Sequence, residues 1–198
     1  MIKPLVCLVF GYLLGSLNFA IVYSKLRGDD IRRHGSGNAG STNVLRVYGK
    51  KSAALVFTLD ILKGVFAVIL ARLIFKTEGA QCAAALGAVL GHNFPLYYGF
   101  SGGKGVATSF AALLALDVRV ALAALAVFAV VLVISRYVSL ASISAAAAVI
   151  VFSFVFEGKL NEFTVFCTIM GVLCIIRHHS NISRLIRGTE NKLGHKSE

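Results

Sequence analysis

The chain has 198 residues, 57% of them hydrophobic and 15% charged, with a mean hydropathy of +0.79. That is one domain by length, with too little charged surface for a water-soluble α/β enzyme. Lys and Arg outnumber Asp and Glu by 20 to 9. In a soluble protein this excess would suggest nucleic acid, whereas in a membrane protein it marks cytoplasmic loops.

Residues 4–24 form an uncharged run of 21 residues, about 31 Å as a helix, longer than the core of a cleavable signal and matched to a membrane span. Further apolar stretches follow at 52–71, which carries Asp60 and Lys63, at 79–103, at 137–156 and, shorter, at 163–176. Residues 105–135 hold Asp117 and Arg119 near their middle and are either one interrupted helix or two short ones. With Lys63 set aside inside a span, seven spans put fourteen basic residues on one face and five on the other, against nine and nine for six. The asymmetry favours an all-α, polytopic bundle of seven transmembrane helices with the N-terminus outside and the C-terminus cytoplasmic. Cys7, Cys82, Cys167 and Cys174 lie in apolar runs without a CxxC pair and read as core hydrophobes.

This topology makes 1–198 a single membrane-embedded domain with all its polar segments, 29–51, 99–108, 136–142 and 177–192, on the cytoplasmic side. The first segment carries Gly35, Ser36, Gly37, Gly40, Ser41, Thr42, Asn43 and Arg46. The glycine spacing fits a dinucleotide fingerprint, but no strand precedes it, so what survives is an anion site of backbone N–H groups, side-chain donors and Arg46. The second carries Gly102, Gly103, Lys104 and Gly105 before a helix start, with Thr108 following. It reads as a phosphate cradle with Lys104 as its charge, although it lacks the first glycine and the hydroxyl residue of a Walker A loop. A GxSxG match at residues 99–103 lacks the strand a nucleophile elbow needs. In the tail, His178 and Asn181 are three apart and share a face if the last helix continues, as candidate base and amide donor, near Glu190. Asp60 and Lys63, three residues apart, are an intramembrane pair, with His92 close to the glycine turn.

In this order and spacing the clusters resemble the bacterial acyl-phosphate:glycerol-3-phosphate acyltransferase family over essentially the whole chain. The resemblance rests on residues 35–46 with Gly49, Lys50 and Lys51, residues 59–64, Gly91, His92, Pro95, residues 102–108, residues 136–142, and Arg177, His178, Asn181, Arg184, Gly188 and Glu190. It implies transfer of a long acyl chain from acyl phosphate to glycerol 3-phosphate, giving 1-acyl-glycerol 3-phosphate for phospholipid synthesis. It also implies essential roles for Ser36 and Arg46, a phosphate-binding loop from Gly102 to Thr108, phosphate binding by Lys104 and Ser142, support from His178 and Asn181, and a structural Glu190. Asn43 is expected among the substrate-binding groups, with Asp60 and Lys63 as structural neighbours. Ser101 stands where the family can carry Lys, and His179 and Ser180 depart from its tail pattern.

An acyl phosphate carries a good leaving group, so the expected chemistry is direct attack by the glycerol 3-phosphate hydroxyl. The proton goes to His178 or to a substrate phosphate oxygen, while Lys104 and Arg46 hold phosphates and loop N–H groups, Ser36 or Asn181 serve the oxyanion. The chain has no HxxxxD motif and no aspartate cluster, so no metal and no cofactor is expected. The expected setting is the bacterial inner membrane, with the active site facing the cytoplasm, and the expected partners are the two substrates, the bilayer and a soluble acyl-phosphate synthase, not nucleic acid. The competing reading is a transporter of a phosphorylated anion or lipid, disfavoured by the missing internal repeat and the lack of polar motifs on the outer side.

Overall fold

The computed structural model describes residues 2–194, and among these it is helical without a strand. Lys196, one of the fourteen inside charges, lies outside them. Contacts divide the chain into two compact units, Met1–Leu116 and Asp117–Glu198.

The first unit begins with α1 (Ile2–Gly15) and α2 (Phe19–Lys25). The segment expected to span over 4–24 is kept as one crossing-length stretch, Ile2–Lys25, but its helix is interrupted: Asn18 caps α2, its Oδ1 accepting from Ile21 N at 3.1 Å, and Ser16 Oγ donates back to Tyr12 O at 2.8 Å. A 3-10 turn at Ile31–Arg33 leads to α3 (Ser41–Phe75), whose helix is interrupted at Gly49 (φ 82°). Residues 41–51, expected as loop, are thus helical. Gly40 supplies the extended backbone before the first turn, and burial of Val44 fixes that turn against the unit's core.

α4 (Glu78–Asn93) packs on α1 through small residues. A side chain at Gly11 or Gly15 would overlap the backbone of Ala84 or Ala88, and one at Gly87 or Gly91 would overlap that of Leu8 or Tyr12. Two Gly-x-x-x-Gly pairs thus let the helix axes approach where lipid offers no hydrophobic drive. The expected span 79–103 ends ten residues early. Pro95, a second 3-10 turn (Leu96–Tyr98) and left-handed Gly99 (φ 66°) fold the chain back on the end of α4. α5 (Val106–Leu116) then packs on α3 at Gly64, where a Cβ would lie 2.7 Å from the Thr108 carbonyl.

The second unit holds α6 (Val118–Ser135), α7 (Val138–Glu157), α8 (Glu162–Arg177) and α9 (His179–Ile186). Residues 105–135 do break in two, and the cause is Asp117, whose carboxylate caps α6 by accepting from Arg119 N at 2.7 Å and Val120 N at 3.3 Å. Among the described residues four segments are long and apolar enough to cross a membrane, Ile2–Lys25, Ser41–Phe75, Val118–Ser135 and Val138–Glu157, and the number is five if α8 and α9, bent by 54°, make one span.

Candidate active site

The first polar segment is shaped by its own side chains. Gly35 and Gly37 take positive φ (57° and 70°), and the amide of Asn43, from the first turn of α3, closes the loop they make. Asn43 Oδ1 accepts from Ser36 N at 2.9 Å, and its Nδ2 donates to His34 O at 2.9 Å and Ile31 O at 3.2 Å. Asn43, expected among the substrate-binding groups, is buried with both amide hydrogens and its oxygen engaged inside the loop. Ser36 and Arg46 are exposed, one on the loop and one on the following helical turns.

The second segment lies against the first. Arg32 is gripped by Asp30 (Nε to Oδ1 2.9 Å, Nη2 to Oδ2 2.7 Å) and reaches over with Nη1 to the carbonyls of Tyr98 (2.8 Å) and Ser101 (3.2 Å). The Arg32 hydrogen bonds hold the Asp30 carboxyl at about 2. Asn18, fully buried, donates from Nδ2 to Ala39 O at 3.1 Å and to His92 O at 3.5 Å. Gly102 N donates to Asn93 O (3.2 Å) and Gly103 N to His92 O (3.1 Å). Gly103 is so enclosed that a Cβ there would sit 2.6 Å from Ala39 O and on top of His92 Nε2. Gly105 turns with φ 78° into α5. The result is two glycine turns and a helix N-terminus in one unit, with Lys104 half-buried among them, the backbone arrangement that receives anions.

Beneath the turns, Lys63 Nζ lies 2.7 Å from Asp60 Oδ1 and 2.9 Å from His92 Nδ1, and donates to Leu17 O (3.0 Å) and Gly15 O (3.2 Å). All three side chains are buried. Thr108, expected to serve phosphate, is buried too, and its hydroxyl donates to Asp60 O at 3.4 Å.

In the second unit Glu190 gathers the tail. Its Oε1 accepts from Ser139 Oγ (2.7 Å) and Asn181 Nδ2 (2.6 Å), and its Oε2 from Arg184 Nε (2.6 Å). Burial pushes this carboxyl up, but the bonds from Ser139, Asn181 and Arg184 outweigh it and hold it below its usual value. Ser142 Oγ donates to Val138 O at 2.8 Å. His178, buried where α8 meets α9, lies with Nδ1 2.7 Å from Cys174 O, so Nδ1 carries hydrogen and the ring's basic lone pair is on Nε2. Among the described residues no three His, Cys, Asp or Glu side chains form a group able to hold a metal ion.

Sequence patterning does not single out Asn18 or Arg32. Asn18 carries a signal, a lone amide in an apolar run, while Arg32 reads only as an inside charge.

The profile of the glycerol-3-phosphate acyltransferase family matches residues 5–188. The chain belongs to this family. It is a membrane acyltransferase of lipid biosynthesis. Similar proteins include the glycerol-3-phosphate acyltransferases of Thermoanaerobacter sp. strain X514 (44% identity, 96% of each chain) and Halalkalibacterium halodurans (45%, 96% of each). Among solved structures, PlsY, described as an integral membrane glycerol 3-phosphate acyltransferase, is similar in two forms. The glycerol 3-phosphate form has a TM-score of 0.89 and 41% identity over 96% of each chain. The lysophosphatidic acid form has a TM-score of 0.86 and 40% identity over 96% of this chain and 95% of that one. The acyltransferase thus shares both fold and sequence with them over nearly its whole length.

Proposed function

We propose that the enzyme transfers an acyl chain from acyl phosphate to a hydroxyl of glycerol 3-phosphate, giving 1-acyl-sn-glycerol 3-phosphate and inorganic phosphate. The observation that carries this reading is the joining of two glycine turns by Asn18 and Arg32, which brings both turns and Lys104 together in one unit built on apolar helices. Lys104 and Arg46 hold the phosphates, and Ser36 or Asn181 stabilises charge on the acyl carbonyl oxygen, since the amides of Ser36, Gly102 and Gly103 are engaged within the turns. Gly102, Gly103 and Gly105 shape the turn, while Asn43 and Thr108 act by holding it rather than by contact. The hydroxyl oxygen attacks the carbonyl carbon, the carbon–oxygen bond to phosphate breaks, and phosphate leaves with the bonding electrons. The hydroxyl proton passes to His178 Nε2 or to a substrate phosphate oxygen. Ser142 enters as a phosphate-binding group and Asn181, with His178, as a group that supports activity through the family resemblance, with Glu190, Asp60 and Lys63 as structural supports.

The same reading carries the seven-span topology, with the short α5 and the bent α8–α9 pair counted as crossings. It puts the N-terminus outside and the active site at the cytoplasmic face of the bacterial inner membrane, where a soluble synthase supplies acyl phosphate.

The test is phosphate release by purified protein given palmitoyl phosphate, with and without glycerol 3-phosphate. Release that requires glycerol 3-phosphate, yields the lysophospholipid and collapses in Lys104→Ala is the expected result. No turnover from folded protein in detergent, with flux of a phosphorylated solute in vesicles, would replace the acyltransfer reading by transport.

A further inference from the structure

Lys63 Nζ lies within hydrogen-bond distance of Gly15 O, Leu17 O and His92 Nδ1 and 2.7 Å from Asp60 Oδ1, and paired with that carboxylate it is an ammonium group, which donates and has no lone pair with which to accept. A protonated Nδ1 would oppose two N–H donors at 2.9 Å inside a buried site, and the Asp60 oxygen it would need lies 3.5 Å away, too far for a good bond. Nδ1 is therefore an acceptor, and the proton of neutral His92 sits on Nε2. That atom occupies the position where a side chain at Gly103 would begin.

We infer that His92 is a positioning residue of the phosphate turn, locked by buried Lys63 as the Nε2–H tautomer and presenting that N–H edge to Gly103. The inference rests on the acyltransfer reading for what the turn holds, but not for the tautomer itself. Two contacts couple His92 to the turn: its carbonyl accepts from Gly103 N, and its ring fills the space beside Gly103 Cα. Asn18, bonded to both His92 O and Ala39 O, extends the same support to the first turn. The intramembrane pair thereby fixes one ring in one orientation under an anion-binding loop. In metal sites a carboxylate or carbonyl behind a histidine sets which of its nitrogens carries the proton, and here a lysine does so.

Two measurements test this on the full chain in detergent. Nitrogen NMR of histidine-labelled protein, with His92 assigned by its loss in His92→Gln, should show a pyridine-type Nδ1 and a pyrrole-type Nε2. A protonated Nδ1 would overturn the inference, whether or not the protein turns over palmitoyl phosphate, so its failure is told apart from failure of the acyltransfer reading. Binding of inorganic phosphate supplies the second readout. Glutamine places an amide N–H where Nε2 stands and asparagine does not, so His92→Asn should weaken phosphate binding about tenfold, while His92→Gln retains most of it. Equal damage from both folded variants would leave His92 a packing residue only.

Discussion

The first unit joins its two turns with amide and guanidinium bonds to backbone carbonyls, from Asn18, Arg32 and Asn43, around glycines with no room for a side chain. The second unit gathers Ser139, Asn181 and Arg184 on one carboxylate, Glu190. A scaffold of the first kind is built mainly from amides, a guanidinium group and backbone carbonyls, and it fails by steric intrusion. A scaffold of the second kind depends on one ionised group and fails by protonation. The two regions therefore answer different perturbations, and variants can separate them.

The largest effect is expected from Gly103→Ala. The new methyl meets Ala39 O and the His92 ring, neither of which can retreat: one carbonyl is held by Asn18 and the ring by Lys63. Displacing the turn by a fraction of an ångström should lower kcat/KM about 100-fold, measured as phosphate release, with the melting temperature as control for folding. A Gly103→Ala enzyme with wild-type kinetics would show that the two turns are not a fitted pair.

Arg32→Ala comes next. It removes the bonds to Tyr98 O and Ser101 O and leaves Asp30 without its partner, so the turns lose a latch but gain no clash. A rise in KM for glycerol 3-phosphate or palmitoyl phosphate of roughly tenfold is expected, from charge-assisted bonds to carbonyls. Arg32→Lys should not restore it, because one ammonium cannot both chelate Asp30 and span two carbonyls.

Glu190→Gln should cost less, roughly fivefold in activity, equivalent to about 1 kcal/mol for a partly exposed ion pair. Its sharper signature is in pH. The folded carboxyl lies below its unfolded value of 4.5, so its contribution is present above that value and is lost as pH falls through the lowered one. Melting temperature measured downward from pH 6 should fall more steeply in wild type than in Glu190→Gln. Parallel curves would mean that the tail is not held by the ionised carboxylate.

What is legible in the sequence follows the range of each interaction. Long apolar runs, the Asp117 break and the two glycine turns are local features, and each is visible in a few consecutive residues. The break at Ser16–Leu17–Asn18 and the early end of α4 are local too, set by the Asn18 cap and by Pro95 and Gly99, whereas the joining of the two turns depends on partners far along the chain, Asn18 with Ala39 and Arg32 with Tyr98. No periodicity encodes such pairs. Asn43 shows the same limit: its residue type points to a donor for anions, and only the fold reveals that its donors turn inward.

Gly188 should produce the smallest effect, and it tests whether glycines in the two regions serve different ends. It follows α9 with φ 70° and has no atom near where a Cβ would stand. Thr189 N donates to Arg184 O (2.9 Å) and Gly188 N to Leu185 O (3.2 Å), the paired bonds of a left-handed helix end. Here glycine supplies backbone freedom and not space, so Gly188→Ala costs about 1 kcal/mol of local stability and Gly188→Asn less, since asparagine tolerates this conformation. Hydrogen exchange at the Thr189 amide should quicken more in Gly188→Ala than in Gly188→Asn, with turnover falling less than in Glu190→Gln. At Gly103 the ranking differs in kind: asparagine would be worse than alanine, because there the limit is volume.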